Sequence, residues 1–215
     1  MPDALRHAPE IPSAPRQRPA GRQSDRPLFF RHWLKNPLGI GALLPSGAKV
    51  ARGMARELSL DRPGAVLELG GGTGGVTQGL IAAGCPVERL CVIEREPDLA
   101  RYLTRRFPGL SVIAGDACAV GPLLAEVGIE RLATVVSSLP IKWFPRHAQR
   151  AVLDACFDRL GPGGTFVQLT NALASPLPAA ELGLAGEEVV RIWMHFLPVQ
   201  IWRYRRPGAI EMHRC

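Results

Sequence analysis

The chain is short of several features that would mark particular classes of protein. Its five cysteines, Cys85, Cys91, Cys118, Cys156 and Cys215, are odd in number, and no two stand in a CxxC pair. A disulfide framework or a zinc site is therefore not expected; a reducing compartment is. No run of 18 or more apolar residues occurs, so no spanning helix is expected, and the N-terminus lacks the apolar centre of a signal peptide. Lysine is scarce. Only Lys35, Lys49 and Lys142 occur, and arginine carries most of the positive charge behind a formal net +7. Such a balance favours anionic partners, whether nucleic acid or an acidic lipid surface. Large apolar side chains are almost missing from residues 1–27, which hold six prolines and five arginines. That segment cannot bury enough surface to fold, and a disordered tail is expected there.

Composition changes at LFFRHWLKNP. Phe30, Trp33 and Leu34 fall at i, i+3 and i+4 on one helical face; Arg26, Arg31 and Lys35 lie around the other, and Pro37 ends the helix. Pro45-Ser46-Gly47 reads as a turn, with Ser46 capping a helix that runs to about Leu58. Beyond it, strand-like segments at 65–69, 90–94, 111–113, 133–137 and 165–170 alternate with helix-length segments at 75–83, 97–106, 120–127 and 146–160. This order implies a mostly parallel sheet with helices on both faces. Aromatic runs at 189–197 and 199–206, joined at Leu197-Pro198, read as a closing antiparallel hairpin. The expected organisation is a tail (1–27), an amphipathic helical segment (28–63) and one α/β core (64–215).

Where the first strand meets the first core helix stands VLELGGGTGGVT. Glycines at 70, 72 and 74 let backbone approach a ligand without Cβ obstruction. Gly70, Gly72 and Gly75 also satisfy GxGxxG, so spacing alone does not separate one nucleotide cofactor from another. Three further features narrow the choice. Glu68 lies within the strand, Glu94 closes the second strand, and Gly115-Asp116-Ala117 follows the third. The order E-x-G-x-G-x-G, strand-end Glu, then G-D-A resembles the class I S-adenosylmethionine-dependent methyltransferases, over residues 64–170. The resemblance implies a Rossmann-like sheet with a reversed last strand and S-adenosyl-L-methionine as cofactor. It also implies that Glu94 holds the ribose, Asp116 the adenine amine, and Gly70, Gly72 and Gly74 the methionine end, with Glu68 and Ala117 also among the cofactor-binding residues. No metal is expected.

After the fourth strand comes Ser138-Leu139-Pro140-Ile141, similar to the [DNS]-x-P-[YFW] motif of amino-group methyltransferases, whose first side chain and nearby carbonyl accept from the target amine. Here Ser138 would supply an oxygen and the Leu139 carbonyl another, with Pro140 constraining the residue before it. The final position departs from the motif. Ile141 replaces the aromatic against which a flat base stacks, a contact worth roughly 1–3 kcal/mol to a nucleobase and nothing to a flexible amine.

The stretches 29–47, 67–75 and 137–145 together resemble the soluble bacterial phospholipid N-methyltransferases. That family methylates phosphatidylethanolamine stepwise to phosphatidylcholine. The resemblance implies peripheral binding to the anionic inner membrane from the cytoplasm, through Phe29, Phe30, Arg31, Trp33, Leu34 and Lys35. Arg95, Lys142 and Trp143 are candidates to meet the lipid headgroup. Phe144, Trp193 and Tyr204 are further candidates for the entrance, and Tyr102 and His147 for a general base. Two other readings compete. The rRNA adenine dimethyltransferases share the glycine turn, the strand-end Glu, the G-D-A and a similar L-P element, although nucleic acid is the less expected partner; a binding module without catalysis is the third.

Overall fold

The computed structural model describes residues 45–194 and 197–207, all within one unit, Pro37–Cys215. Phe29, Phe30, Arg31, Trp33, Leu34 and Lys35, with the Pro/Arg-rich stretch before them, lie outside the described residues. Apolar runs rich in β-branched residues form β1 (Ala65–Leu69), β2 (Leu90–Glu94), β3 (Ser111–Ala114), β4 (Leu132–Ser137) and β5 (Thr165–Thr170). Helix α1 (Pro45–Ala55) precedes them, and α2 (Gly75–Ala82), α3 (Pro97–Arg106), α4 (Val120–Glu126) and α5 (Arg146–Leu160) alternate with them. β6 (Ala185–Met194) and β7 (Leu197–Arg205) close the sheet. The order is β3-β2-β1-β4-β5-β7-β6. β1 to β5 pair in parallel, and β7 runs antiparallel between β5 and β6.

Successive strand residues serve opposite faces. Val66, Val92, Val136 and Val167 pack with Met54 of α1, Leu80 of α2 and Leu103 of α3. Leu67, Leu69, Ile93, Val135 and Phe166 pack with Leu124 of α4 and with Val152 and Phe157 of α5. Both faces are covered, which is why the strands read as unbroken apolar runs. A Cβ at Gly79 of α2 would stand 2.2 Å from that of Ala51, so α1 and α2 cross where side chains are small. Strand order reverses between β1 and β4, and in open α/β sheets the crevice beyond the carboxyl ends at such a point is where ligands bind.

The first helix and the closing hairpin differ from the sequence expectation. The first helix starts at Pro45 and ends at Ala55, so Ser46 lies inside its first turn instead of capping it; proline, with its fixed φ and no N–H to satisfy, suits the first helical position. The hairpin strand β6 begins at Ala185, four residues before the aromatic run, and ends at Met194, so Leu197-Pro198 opens β7 instead of joining the two strands. Its opening residues, Ala185-Gly186-Glu187-Glu188, do not look like a strand because an edge strand needs only one apolar face. Gly186 is required there, since a Cβ would meet the Tyr204 ring at 2.6 Å. Among the described residues no helix is long and apolar enough to cross a membrane.

Candidate active site

The turn after β1 is built by backbone geometry. Gly70, Gly72 and Gly74 take φ of 82°, 53° and 82°, the left-handed region open to glycine. The Gly70 N–H donates to the Ile93 carbonyl at 2.9 Å, tying the turn to β2. The Gly72 N–H donates to Oε2 of Glu94 at 2.8 Å, and the Glu96 N–H to Oε1 at 2.9 Å. Glu94 is thus a buried carboxylate steadied by two amides, with acceptor capacity left on both oxygens. A Cβ at Gly72 would meet nothing within 4 Å, whereas at Gly71 it would strike Val92 and Leu103 at 2.5 and 2.7 Å. One side of the turn is closed by the core and the other is open.

Glu68, on β1, is fully buried. Its Oε2 accepts from the Thr77 hydroxyl at 2.7 Å, while Oε1 has no partner among the described residues. Burial pushes this carboxyl up to about 8; hydrogen bonds from Thr77 oppose the rise and the nearby Glu94 charge adds to it. Asp116 follows β3. Its Oδ1 accepts from the Cys118 N–H at 2.9 Å, capping the short 3₁₀ turn Ala117–Ala119, and its Oδ2 lies 3.8 Å from Nε of Arg95. Ala117, the next residue, is buried in the core. Arg95 therefore sits beside Asp116, beyond the ends of β2 and β3.

The corner after β4 is held from three sides. The Ser138 N–H donates to the Leu69 carbonyl at 3.0 Å, which places the corner against the glycine turn. The Ser137 hydroxyl accepts from the Leu139 N–H at 3.3 Å. The Leu139 carbonyl accepts from the Ile141 N–H at 2.8 Å and from Nε2 of Gln168, on β5, at 2.9 Å. Both lone pairs of that carbonyl are therefore engaged. Two oxygens here are buried without a hydrogen-bond partner among the described residues: Ser138 Oγ and Gln168 Oε1. Pro140 leads into the 3₁₀ turn Ile141–Trp143. In that turn Ile141 is buried, while Lys142 and Trp143 are exposed, with the ammonium 5.8 Å from the ring centroid.

The remaining candidates separate. Tyr204 does not line an entrance: it is fully buried, stacks on Trp202, and bonds the Ser175 hydroxyl at 2.7 Å. Burial raises its phenol to about 12. Phe144 is half-buried against the core, and Trp193 is exposed near the end of β6. Tyr102 is partly exposed on α3, its hydroxyl accepting from Arg106, and His147 is exposed in the first turn of α5. Among the described residues no cluster of three or more His, Cys, Asp or Glu side chains could hold a metal ion.

The chain is 36% identical over 147 residues to the ornithine lipid N-methyltransferase of Singulisphaera acidiphila, a match covering 67% of this chain and 77% of the relative. The chain belongs to that family, within the class I S-adenosylmethionine-dependent methyltransferases. A ribosomal RNA small subunit methyltransferase A from Myxococcus xanthus is more distant, 25% identical over 197 residues, 88% of this chain and 66% of that protein. The TehB-like S-adenosylmethionine-dependent methyltransferase of Corynebacterium glutamicum shares the fold, with a TM-score of 0.53 at 15% identity over 84% of this chain and 97% of that one. No family model matches the chain.

The residues of this methyltransferase fit its cofactor. The open side of Gly72, the acceptor capacity left on Glu94 and the orphaned Oε1 of Glu68 are features that a nucleoside carrying an amino acid would use. Three participants escaped the sequence reading. Thr77 bonds Glu68; Arg106 donates to the Thr73 carbonyl and to Gln78 from outside the turn; Gln168 holds the Leu139 carbonyl. Only Gln168 left a signal, as a polar residue within the apolar run TFVQLT.

Proposed function

We propose that this methyltransferase N-methylates the primary amine of a membrane aminolipid, stepwise, at the inner membrane surface facing the cytoplasm. The observation that carries the reading is the buried Ser138 Oγ, without a partner among the described residues, on a corner bonded directly to the strand end that opens the glycine turn. An acceptor left unsatisfied in a buried position costs about 1–3 kcal/mol, a cost that an amine N–H would relieve. Phosphatidylethanolamine is the substrate expected from the sequence, and ornithine lipid is the one named for the relative. Ethanolamine and ornithine both end in a primary amine, so one corner serves either.

In this reading Glu94 accepts from the ribose hydroxyls and Asp116 from the adenine amine, with Ala117 beside the ring. Gly70, Gly72 and Gly74 clear room for the methionine end, whose ammonium Glu68 faces. Bound there, S-adenosylmethionine supplies a sulfonium methyl, which an amine lone pair takes as the C–S bond breaks. Ser138 orients that lone pair, and orientation is a large part of the rate gain available. Lys142 and Trp143 stand by the headgroup, where cation–π and ionic contacts favour a zwitterionic, progressively methylated amine, whereas Arg95, expected there from the sequence, pairs with Asp116 on the adenine side.

Two features support work at a lipid surface. Ile141, where a base would stack, is buried and offers no ring. Trp143, Leu173 and Trp193 are 64%, 69% and 69% exposed, and all stand at the carboxyl edge of the sheet. Trp143 follows β4 and Leu173 follows β5; Trp193 lies two residues past Arg191, which stands level with Thr170 at the end of β5 through Gln200. Exposed tryptophans on the same edge as the site suit a headgroup layer. The deciding experiment incubates the protein with labelled S-adenosylmethionine and vesicles of phosphatidylethanolamine, vesicles of ornithine lipid, or structured RNA. Methyl incorporation into one of the lipids is expected. Incorporation into RNA alone would favour the reading suggested by the Myxococcus relative and overturn this one.

A further inference from the structure

We propose that Gln168 supplies the second acceptor for the attacking amine, in place of the Leu139 carbonyl, and so weights the enzyme toward the first methyl transfer. Gln168 is almost fully buried and pairs in register with Ser137, the residue before Ser138. Its amide orientation is fixed by its neighbours. Nε2 lies 2.9 Å from the Leu139 carbonyl and 2.6 Å from the Leu169 carbonyl, so that atom must be the nitrogen and both its hydrogens are spent. Oε1 is left buried and without a partner among the described residues, at the corner that also holds the orphaned Ser138 Oγ. The Leu139 carbonyl has no acceptor capacity left to offer.

Two acceptors match a neutral primary amine, which has two N–H groups to donate while its lone pair points at the methyl. A monomethyl amine has one N–H and a dimethyl amine none. In each round the N–C bond forms as the C–S bond breaks, and the ammonium product releases a proton to water before a further round. The contribution of Gln168 therefore shrinks as methylation proceeds. A residue that merely braced Leu139 would affect all rounds alike.

The inference rests on the aminolipid reading, and the test separates the two. Wild type and Gln168→Met are assayed with vesicles of phosphatidylethanolamine and its mono- and dimethyl forms, or the corresponding ornithine lipids if only those are accepted. Cofactor affinity serves as the check on folding. The expected result is a fall in kcat/KM of about tenfold or more with the unmethylated amine, a smaller fall with the monomethyl form, and little change with the dimethyl form. Equal falls across the three forms would overturn the assignment of Gln168 while leaving the aminolipid reading intact. A wild type inactive on both lipid series would remove that reading, and this one with it. Should Gln168→Met not fold, Ser138→Ala, which leaves Gln168 Oε1 as the remaining acceptor, is expected to lower kcat/KM more with the unmethylated amine than with the monomethyl form, whose single N–H one acceptor satisfies; equal falls would count against the proposal.

Discussion

The Gly72 amide donates to Oε2 of Glu94 across 2.8 Å, joining the glycine turn to the end of the second strand. With the Glu96 amide on Oε1, the carboxylate is locked in one orientation, and no side-chain entropy remains to be lost when further hydroxyls bind it. Glu94→Ala is expected to weaken S-adenosylmethionine binding by at least tenfold in calorimetry, because hydrogen bonds to charged groups are worth about 1.5–3 kcal/mol each. Asp116→Ala is expected to cost less, since that carboxylate is half exposed. Unchanged affinity in both variants would displace the nucleoside from this edge.

Neighbouring glycines should fail in different ways. Gly72→Ala adds a methyl in open space, at a positive φ costing about 1–2 kcal/mol; it should fold, with a slightly lowered Tm, and lose cofactor binding. Gly71→Ala drives a methyl into Val92 and Leu103 and should destabilise the protein by several degrees or more. If Gly72→Ala binds the cofactor normally, the open side of the turn is not the binding side.

Glu68 gives the protein a signed pH dependence. Its carboxyl titrates near 8 when folded, against an ordinary value of 4.5, so between those values the folded state holds the extra proton. Stability from this group is complete below about 4.5 and falls as pH rises toward 8, by an amount on the order of a few kcal/mol. Glu68→Gln, which keeps the shape and an acceptor for Thr77, should flatten the decline of Tm between pH 5 and 8.5. Parallel Tm curves for variant and wild type would show that Glu68 is ionised throughout.

The exposed rim should bear on membrane contact and leave folding alone. Replacing Trp143, Leu173 and Trp193 together by serine is expected to reduce sedimentation with anionic vesicles about tenfold, with Tm unchanged, since none of the three is buried. Phe30→Ser with Trp33→Ser, in the amphipathic stretch, should reduce it as well. Full sedimentation of both variants would remove the lipid surface from the proposal.

Most of the sheet was legible along the chain because its strands are covered on both faces and read as short apolar runs between helix-length segments. β6 was read short, since an edge strand needs one apolar face and its partner Tyr204 is remote in sequence. Tyr204 itself looked like an entrance residue, as aromatics in a hairpin do until packing shows which face they occupy. Along the candidate site, glycine spacing and acids in or after the strands pointed to Glu68, Gly72, Glu94 and Asp116, which the fold gathers at the carboxyl ends of β1 to β3. Nothing in one dimension could show that Nε2 of Gln168 would occupy the Leu139 carbonyl.

The sequence by itself determined the strand–helix alternation, the position of the glycine turn and the acids at the strand ends, because each is a matter of local backbone preference or of burial at a fixed spacing. Tertiary structure alone decided which polar atoms were left without partners. That depends on residues 9 to 29 positions apart meeting at one edge of the sheet, where Thr77 satisfies half of Glu68 and Gln168 satisfies Leu139 but not itself. A hydrogen bond is short-ranged and directional, so its presence or absence is fixed only when the chain has folded.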